Sequence, residues 1–95
     1  EYTADGLYVC PSKHIVKANG KEVVLTYKEF ELLCLLISNK GTVFNRDQIL
    51  QRIWGFEFDG ENRTVDVHIR TLRTKLGECG ALIETVRGIG YKIGG

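Results

Sequence analysis

Apolar residues recur at helical spacing along residues 62–76, where the periodicity of the chain is clearest. Val65, Ile69, Leu72 and Leu76 stand at i, i+4, i+7 and i+11, so a helix would place them on one face. The pattern predicts an amphipathic helix whose apolar face packs against a core. The residues on the opposite face are basic, hydroxylated or, in one case, apolar: Arg63, Val67, Arg70, Thr71 and Thr74.

Local signals mark the ends and the interior of this helix. Asn62 is predicted to cap its amino terminus, and Gly77 is predicted to end it. Asp66 precedes Arg70 by four residues, which predicts a surface ion pair between them. Residues 63–75 contain four basic side chains and one acid. The outward face is therefore cationic and rich in hydroxyls, as in a helix that lies in a nucleic-acid groove.

Two further helices are predicted before the basic one, and each opens with the same capping signal. Thr26 and Glu29 form a T-x-x-E capping box, and Asn45 and Gln48 form a second box. A hydrophobic staple accompanies both boxes, and a glycine follows each helix. The second helix is predicted to end at Trp54, whose indole either plugs the core or reaches out of the fold. The residues alone favour the core.

Strands are predicted on the amino-terminal side of the helices. Short β-rich segments occupy residues 8–10, 15–18 and 22–25. Asn19 and Gly20 between the last two segments are a hairpin signal, because both residues tolerate positive φ. We therefore expect a small antiparallel sheet in this part of the chain.

A second hairpin is predicted at the carboxy-terminal end. Residues 83–86 and 91–93 form its arms, and the glycines of the tip at residues 87–90 allow a tight reversal. Arg87 at the tip is placed to probe an adjacent groove. Three helices, the third of them basic, followed by a hairpin give the order of a winged helix-turn-helix, an α+β fold.

Composition agrees with a single domain over residues 1–95. The chain is 43% apolar and 26% charged, which suits one compact globular unit with an ordinary core. The net charge of +1 is unevenly divided along the chain. Residues 1–61 hold seven basic and nine acidic residues, whereas residues 62–95 hold six and three. The basic excess therefore lies in the last third, although mixed surface charge could produce such a difference by chance.

The sequence also carries signals about location. No apolar run approaches membrane-spanning length, and no secretory leader opens the chain. Cys10, Cys34 and Cys79 are odd in number and widely spaced, which fits thiols kept reduced. We therefore expect a soluble, cytoplasmic protein that does not contact a membrane. Because it begins at Glu1 rather than Met, we expect the chain to be a piece of a longer protein.

Catalytic chemistry is not predicted. The cysteines and the two histidines are scattered, without the spacing of a metal site or of a nucleophile with its base. We therefore expect no enzyme activity, no cofactor and no metal. Two hypotheses stay beside DNA binding: a winged-helix module that binds protein and not DNA, and a small enzyme using a thiol or imidazole.

Four motifs in order give the chain a family resemblance: LTYKEFELL, VFNRDQILQRIWG, NRTVDVHIRTLRTKL and IETVRGIGY. Together they resemble the carboxy-terminal effector domain of OmpR/PhoB-type two-component response regulators. The resemblance implies a four-stranded amino-terminal sheet, three helices and a wing. It also implies sequence-specific binding of double-stranded DNA in control of transcription, with helix 62–76 in the major groove and wing 83–93 in the minor groove.

The resemblance also implies a set of DNA contacts. Val67, on an otherwise polar face, suits a thymine methyl, although a lone exposed apolar residue is common. Thr71 stands where many members carry arginine, so base preference there should be weaker or different. The implied contacts lie before, on and after the third helix: Trp54, Arg63, Thr64, Val67, His68, Arg70, Thr71, Arg73, Thr85, Arg87 and Tyr91.

The resemblance also implies partners for the acidic segment 55–61 and for the protein outside this chain. From the residues alone this segment is a solvated connector or a surface that faces protein, because acids repel phosphates. The resemblance favours contact with RNA polymerase through Glu57, Phe58, Asp59 and Glu61. It further implies a receiver domain that precedes this chain, a cognate sensor histidine kinase acting through that domain, and a dimer on promoter direct repeats.

Overall fold

The computed structural model describes residues 1–58 and 60–94. Within them the chain has the α+β winged-helix architecture that the sequence predicts. The elements of that architecture follow in chain order: β1 (Tyr2–Ala4), β2 (Leu7–Cys10), β3 (Ile15–Ala18), β4 (Lys21–Glu22), α1 (Tyr27–Ser38), β5 (Phe44–Asn45), α2 (Arg46–Ile49), a π-helical segment (Leu50–Trp54), α3 (Arg63–Leu76), a 3-10 helix (Gly77–Leu82), β6 (Ile83–Val86) and β7 (Gly90–Ile93).

The amino-terminal sheet is antiparallel, with strand order β1-β2-β3-β4 among the described residues. Asn19 and Gly20 both have positive φ, so the predicted hairpin is confirmed. The segment 22–25 was predicted as a strand, but β4 pairs only at Lys21–Glu22. The chain leaves the sheet there to reach the first residues of α1. Strand β1, which the periodicity did not predict, follows from a second reversal at Asp5 and Gly6, both with positive φ.

The carboxy-terminal hairpin is joined to the helices by a third strand. β6 and β7 pair as predicted, and β7 also pairs with β5, Phe44 opposite Tyr91. No strand was predicted at Phe44, because a two-residue strand carries no periodicity. Gly90 makes the close approach possible, since a Cβ there would lie 2.0 Å from the Phe44 carbonyl oxygen. The wing is thus fixed to the helical core.

Both predicted capping boxes are present at the starts of α1 and α2. The Thr26 hydroxyl accepts from the Glu29 backbone N–H at 3.2 Å, and the Glu29 carboxylate accepts from the Thr26 N–H at 2.8 Å. The predicted cap at Asn62 is wrong. Asn62 already has helical angles, φ −57 and ψ −24, and its side chain makes no capping bond, because α3 starts with a turn in which Thr64 N–H donates to the Glu61 carbonyl.

The core joins the sheets to the apolar faces of the helices. Val65, Ile69, Leu72 and Leu76 are each 0–1% exposed, so the predicted inward face of α3 is confirmed. They pack with residues from α1, the π-helical segment and both sheets. Within the described part of the chain, no helix has the length and apolar character needed to cross a membrane.

Candidate nucleic-acid interface

The side of α3 that faces away from the core is an open, mostly polar surface. Arg63, Val67, Arg70, Thr71 and Thr74 are all exposed there, Val67 to 47%. We call these five residues the outward strip. Their orientation follows from the helical period, because residues that bury Val65 and its partners must present the intervening positions to solvent.

The α1 flank is the side of α3 that carries Thr71 and Lys75, and it is fastened to Glu29 at the start of α1. The Thr71 hydroxyl donates to Glu29 Oε2 at 2.6 Å, and Lys75 Nζ lies 2.7 Å from Oε1. Glu29 is only 3% exposed. Burial by itself raises the pKa of its carboxyl, but hydrogen bonds from Lys75, Thr71 and Thr26 outweigh that effect and lower the pKa to about 2.

Glu29 is a residue of the site that the sequence did not reveal. The capping box predicted its bond to the start of α1, and that bond is present. Its second partner set lies 42 and 46 residues further along the chain, beyond the reach of any local spacing. One consequence concerns Thr71, whose single hydroxyl proton is committed to Glu29.

Trp54 and His68 pack against each other beyond the α1 flank. Their rings meet edge to face with centroids 4.8 Å apart. Trp54 is half-buried and packs against the core, in agreement with the interpretation that the residues alone favoured. His68 Nδ1 lies 2.8 Å from the Thr64 carbonyl. Because a carbonyl only accepts, Nδ1 carries the proton in this contact, and Nε2 is left for any external partner.

The wing flank is the opposite side of α3, which carries Asp66 and Arg73. Arg73 Nη2 donates to the Ile83 carbonyl at 2.7 Å and to the Thr85 hydroxyl at 2.8 Å, and Nε donates to the same carbonyl at 3.2 Å. The guanidinium also lies 5.7 Å from the centre of the Tyr91 ring. Arg73 therefore ties the wing to α3 with two of its three nitrogens.

Asp66 connects the wing flank to α2 and β7. It accepts from Arg46 Nε at 2.9 Å and from the Tyr91 hydroxyl at 2.6 Å. Burial raises the pKa of the Tyr91 hydroxyl, and its bond to the carboxylate adds to this effect. For Asp66, burial acts upward on the carboxyl pKa, but the bonds from Tyr91 and Arg46 lower it overall. The predicted pair of Asp66 with Arg70 is therefore wrong, and Arg46 takes that place.

The wing tip lies beside the first turn of α3. Arg87 and Ile89 are exposed at the tip, Ile89 to 61%. Ile89 and Asn62 line one shallow hollow together with the start of α2. The wing tip therefore lies near the amino-terminal end of α3, where the outward strip begins.

The acidic connector between the π-helical segment and α3 is exposed. Glu57, Phe58 and Glu61 face solvent, and the Phe58 ring lies 5.7 Å from Trp54. Asp59, the remaining predicted residue of this surface, lies outside the described residues. The exposed Phe56, at 84%, was not singled out from the sequence.

The chain is similar to known transcriptional regulators. A family model described as "Transcriptional regulatory protein, C terminal" matches residues 20–93. The regulatory protein VanRB of Enterococcus faecalis is 45% identical over 93 residues, which cover 98% of this chain and 41% of VanRB. The chain thus spans less than half the length of this relative.

Solved structures of similar proteins have the same fold. The response regulator DrrB, a Thermotoga maritima OmpR/PhoB homologue, superimposes with a TM-score of 0.89 at 31% identity, over 99% of this chain and 44% of DrrB. The DNA-binding domain of Klebsiella pneumoniae RstA, solved in complex with the RstA box, gives a TM-score of 0.84 at 32% identity. That match covers 98% of this chain and 95% of the RstA domain.

Proposed function

Because this chain belongs to the family of transcriptional regulatory protein carboxy-terminal domains, the DNA-binding effector domains of response regulators, we propose how its own residues contact DNA. The outward strip of α3 enters the major groove, and the wing tip enters the neighbouring minor groove. The observation that carries this proposal is the exposure of Arg63 and Arg70 on a helix whose other charged side chains are held by neighbours.

Base contacts are assigned to the exposed strip and the tip. Arg70 is the main candidate, because Asp66 is occupied by Arg46 and leaves the Arg70 guanidinium available for a guanine edge. Val67 suits a thymine methyl. Thr71 offers a base edge its methyl group or a hydroxyl lone pair but no proton, since its hydroxyl proton is donated to Glu29. Arg87 is assigned to the minor groove, whose negative potential, and therefore its attraction for arginine, increases as the groove narrows.

Phosphate contacts are assigned to residues at the borders of the strip. The hydrogen bonds that these residues already make limit which of their atoms are available. Arg63, Thr64 and His68 lie along the first turns of α3. A phosphate contact by Arg73 would use Nη1, because the other two nitrogens hold the wing. Tyr91 reaches a phosphate only by leaving Asp66, because its hydroxyl has one proton. Trp54 and Thr85 are assigned contacts to the DNA backbone on the two sides of α3.

The whole protein is proposed to be a two-component regulator. A phosphorylated receiver domain, controlled by a sensor histidine kinase, would pair two copies on promoter direct repeats and so raise their effective concentration on DNA. Glu57, Phe58 and Glu61 on the acidic connector, with Asp59 between them in sequence, are proposed to contact RNA polymerase. A role on chromosomal DNA implies that the protein works in the cytoplasm.

The test begins with selection of bound fragments from random duplex DNA, which gives a half-site. Fluorescence anisotropy then compares that half-site with a scrambled duplex over a salt series. If about six phosphates are neutralised, log K should fall against log salt with a slope of roughly −5. A winged-helix module that binds only protein would select no sequence and give no change in anisotropy.

Two arginine variants test the division between base and phosphate contacts. We expect Arg70→Ala to weaken binding to the half-site by about 1–3 kcal/mol and to leave the scrambled duplex less affected. Arg63→Ala should weaken both duplexes alike and lower the salt slope by about one unit. Equal losses on both duplexes for Arg70→Ala would refute the assignment of Arg70 to a base.

A further inference from the structure

Glu29 has more bonds than its capping role requires. A capping box needs one carboxylate oxygen for the Thr26 N–H, and Oε1 supplies it at 2.8 Å. The same carboxylate also accepts from Thr71 and Lys75 on α3, while the residue is only 3% exposed. A buried anion with three donors from two helices fixes the position of both helices relative to one another.

Lys75 is the partner whose position is unexpected beside a DNA-binding surface. It stands one helical turn after Thr71, next to the outward strip, and its side chain is 38% exposed. A lysine ammonium on a flexible stem is a strong and sequence-independent ligand for phosphate. At 2.7 Å from Glu29, however, the ammonium is turned toward α1.

We propose that Glu29 is a specificity-determining positioning residue, which keeps Lys75 away from the DNA backbone and fixes Thr71 in the outward strip. This inference rests on the proposed function. Without the carboxylate, Lys75 would gain a phosphate contact on any sequence, and the Thr71 hydroxyl would lose its 2.6 Å bond and keep only the longer one, 3.1 Å, to the His68 carbonyl. The new phosphate contact would strengthen binding to every duplex alike, because it carries no sequence information, and discrimination would fall through the loss of order at Thr71.

The size of the effect follows from counterion release. One additional phosphate contact makes the salt slope steeper by about 0.9 unit and raises affinity for random duplex by about three- to six-fold at physiological salt. The half-site gains the same contact but loses the ordered Thr71. We therefore expect the ratio of half-site to random affinity to fall by roughly five-fold.

The experiment measures anisotropy on the selected half-site and on a scrambled duplex between about 50 and 300 mM salt, a range over which the Debye length falls from roughly 14 to 6 Å. It uses wild type, Glu29→Gln, Lys75→Gln and the double variant. Glu29→Gln should steepen the slope by about one unit, and the double variant should return it to the wild-type value. Lys75→Gln alone should leave the slope unchanged, because Lys75 is already held away from phosphate.

Two results would overturn the inference: an unchanged or shallower slope for Glu29→Gln, or a slope reduced by one unit for Lys75→Gln alone. Loss of stability alone cannot steepen the slope, so a merely structural role is distinguished. If Glu29→Gln does not fold, Glu29→Asp takes its place, since the shorter side chain weakens the contact with Lys75 and should steepen the slope, whereas an unchanged slope overturns the inference. Failure of wild type to bind any duplex would instead refute the proposed function.

Discussion

The two flanks of α3 are fastened by the same chemistry at different depths. On each side one carboxylate accepts a hydrogen bond from a cation and another from a hydroxyl. On the α1 flank the carboxylate is Glu29, the cation is Lys75 and the hydroxyl is that of Thr71. This carboxylate is almost fully buried.

On the wing flank the carboxylate is Asp66, the cation is Arg46 and the hydroxyl is that of Tyr91. Here the Asp66 side chain is 38% exposed and that of Arg46 is 49% exposed. Water competes for the same bonds, and salt screens the attraction between the two charges.

The difference in burial should give the contacts of the two flanks different strengths. A buried, fully bonded carboxylate is costly to break, because its partners would be left without bonds inside the protein. An exposed ion pair exchanges partners at little cost, which applies to Arg46 and Asp66, whereas Tyr91 is only 7% exposed. The contacts of the α1 flank should therefore be the harder ones to break.

The largest expected effect comes from truncating the buried carboxylate. Glu29→Ala leaves Lys75, the Thr71 hydroxyl and the Thr26 N–H without their acceptor. We expect it to lower the free energy of unfolding by about 2–4 kcal/mol, measured by urea titration. Glu31→Ala is the matched control on the same helix, where the ion pair with Lys28 is longer, at 3.6 Å, and should cost less than about 1 kcal/mol.

The free energy of unfolding should depend on pH through the carboxyl group of Glu29. Its pKa in the folded state is about 2, below the ordinary value of 4.5, so its stabilisation is complete above pH 4.5. It is lost as the pH falls through the folded pKa. Between pH 5 and pH 2, wild type should lose roughly 2–3 kcal/mol more than Glu29→Gln. Parallel curves for the two proteins would show that Glu29 is not held in this way.

The connection of the wing to α3 gives the third prediction. Arg73→Lys keeps the charge but cannot form the forked contact with Ile83 and Thr85. We expect a loss of about 1–2 kcal/mol in local stability, detected as faster amide hydrogen exchange in β6 and β7. Exchange in the middle of α3 should stay slow. Equal acceleration in both regions would mean that Arg73 supports the whole fold rather than the wing.

The smallest expected effect on stability is at the exposed carboxylate. Asp66→Asn should lower the free energy of unfolding by less than about 1 kcal/mol, because an exposed ion pair contributes little. It should also loosen the hold on Arg46 and remove one negative charge beside the outward strip, and so strengthen binding to any duplex, measured by anisotropy. A loss of stability as large as that of Glu29→Ala would remove the distinction between the flanks.

Local sequence patterns correctly predicted the elements that are stabilised by residues close together in the sequence. The buried face of α3, both capping boxes and the Asn19-Gly20 hairpin depend on neighbours within a few residues, and all are present. Two predictions from local spacing failed: the Asn62 capping bond is absent because of a turn from Glu61 to Thr64, and the Asp66–Arg70 pair is absent because a distant group competes. Arg46 lies 20 residues from Asp66 and takes its carboxylate, which spacing within the helix cannot show.

The same limit applies to the site. The outward strip followed from the helical period, whereas the commitment of Thr71 and Lys75 to Glu29 depends on how α1 crosses α3. The pairing of β5 with β7 was missed for the same reason. Strands far apart in sequence produce no periodic pattern of apolar residues that would reveal their pairing.

The outward strip of α3 is proposed to contact base edges in the major groove while the wing tip contacts the minor groove. Methylation interference on the selected half-site separates the two contacts, because guanine N7 faces the major groove and adenine N3 the minor groove. Wild type should be blocked by methylation at both kinds of position. Arg70→Ala should lose a guanine N7 signal and keep the adenine N3 signals, and Arg87→Ala should do the reverse. Interference patterns that are identical in wild type and Arg70→Ala would contradict the account.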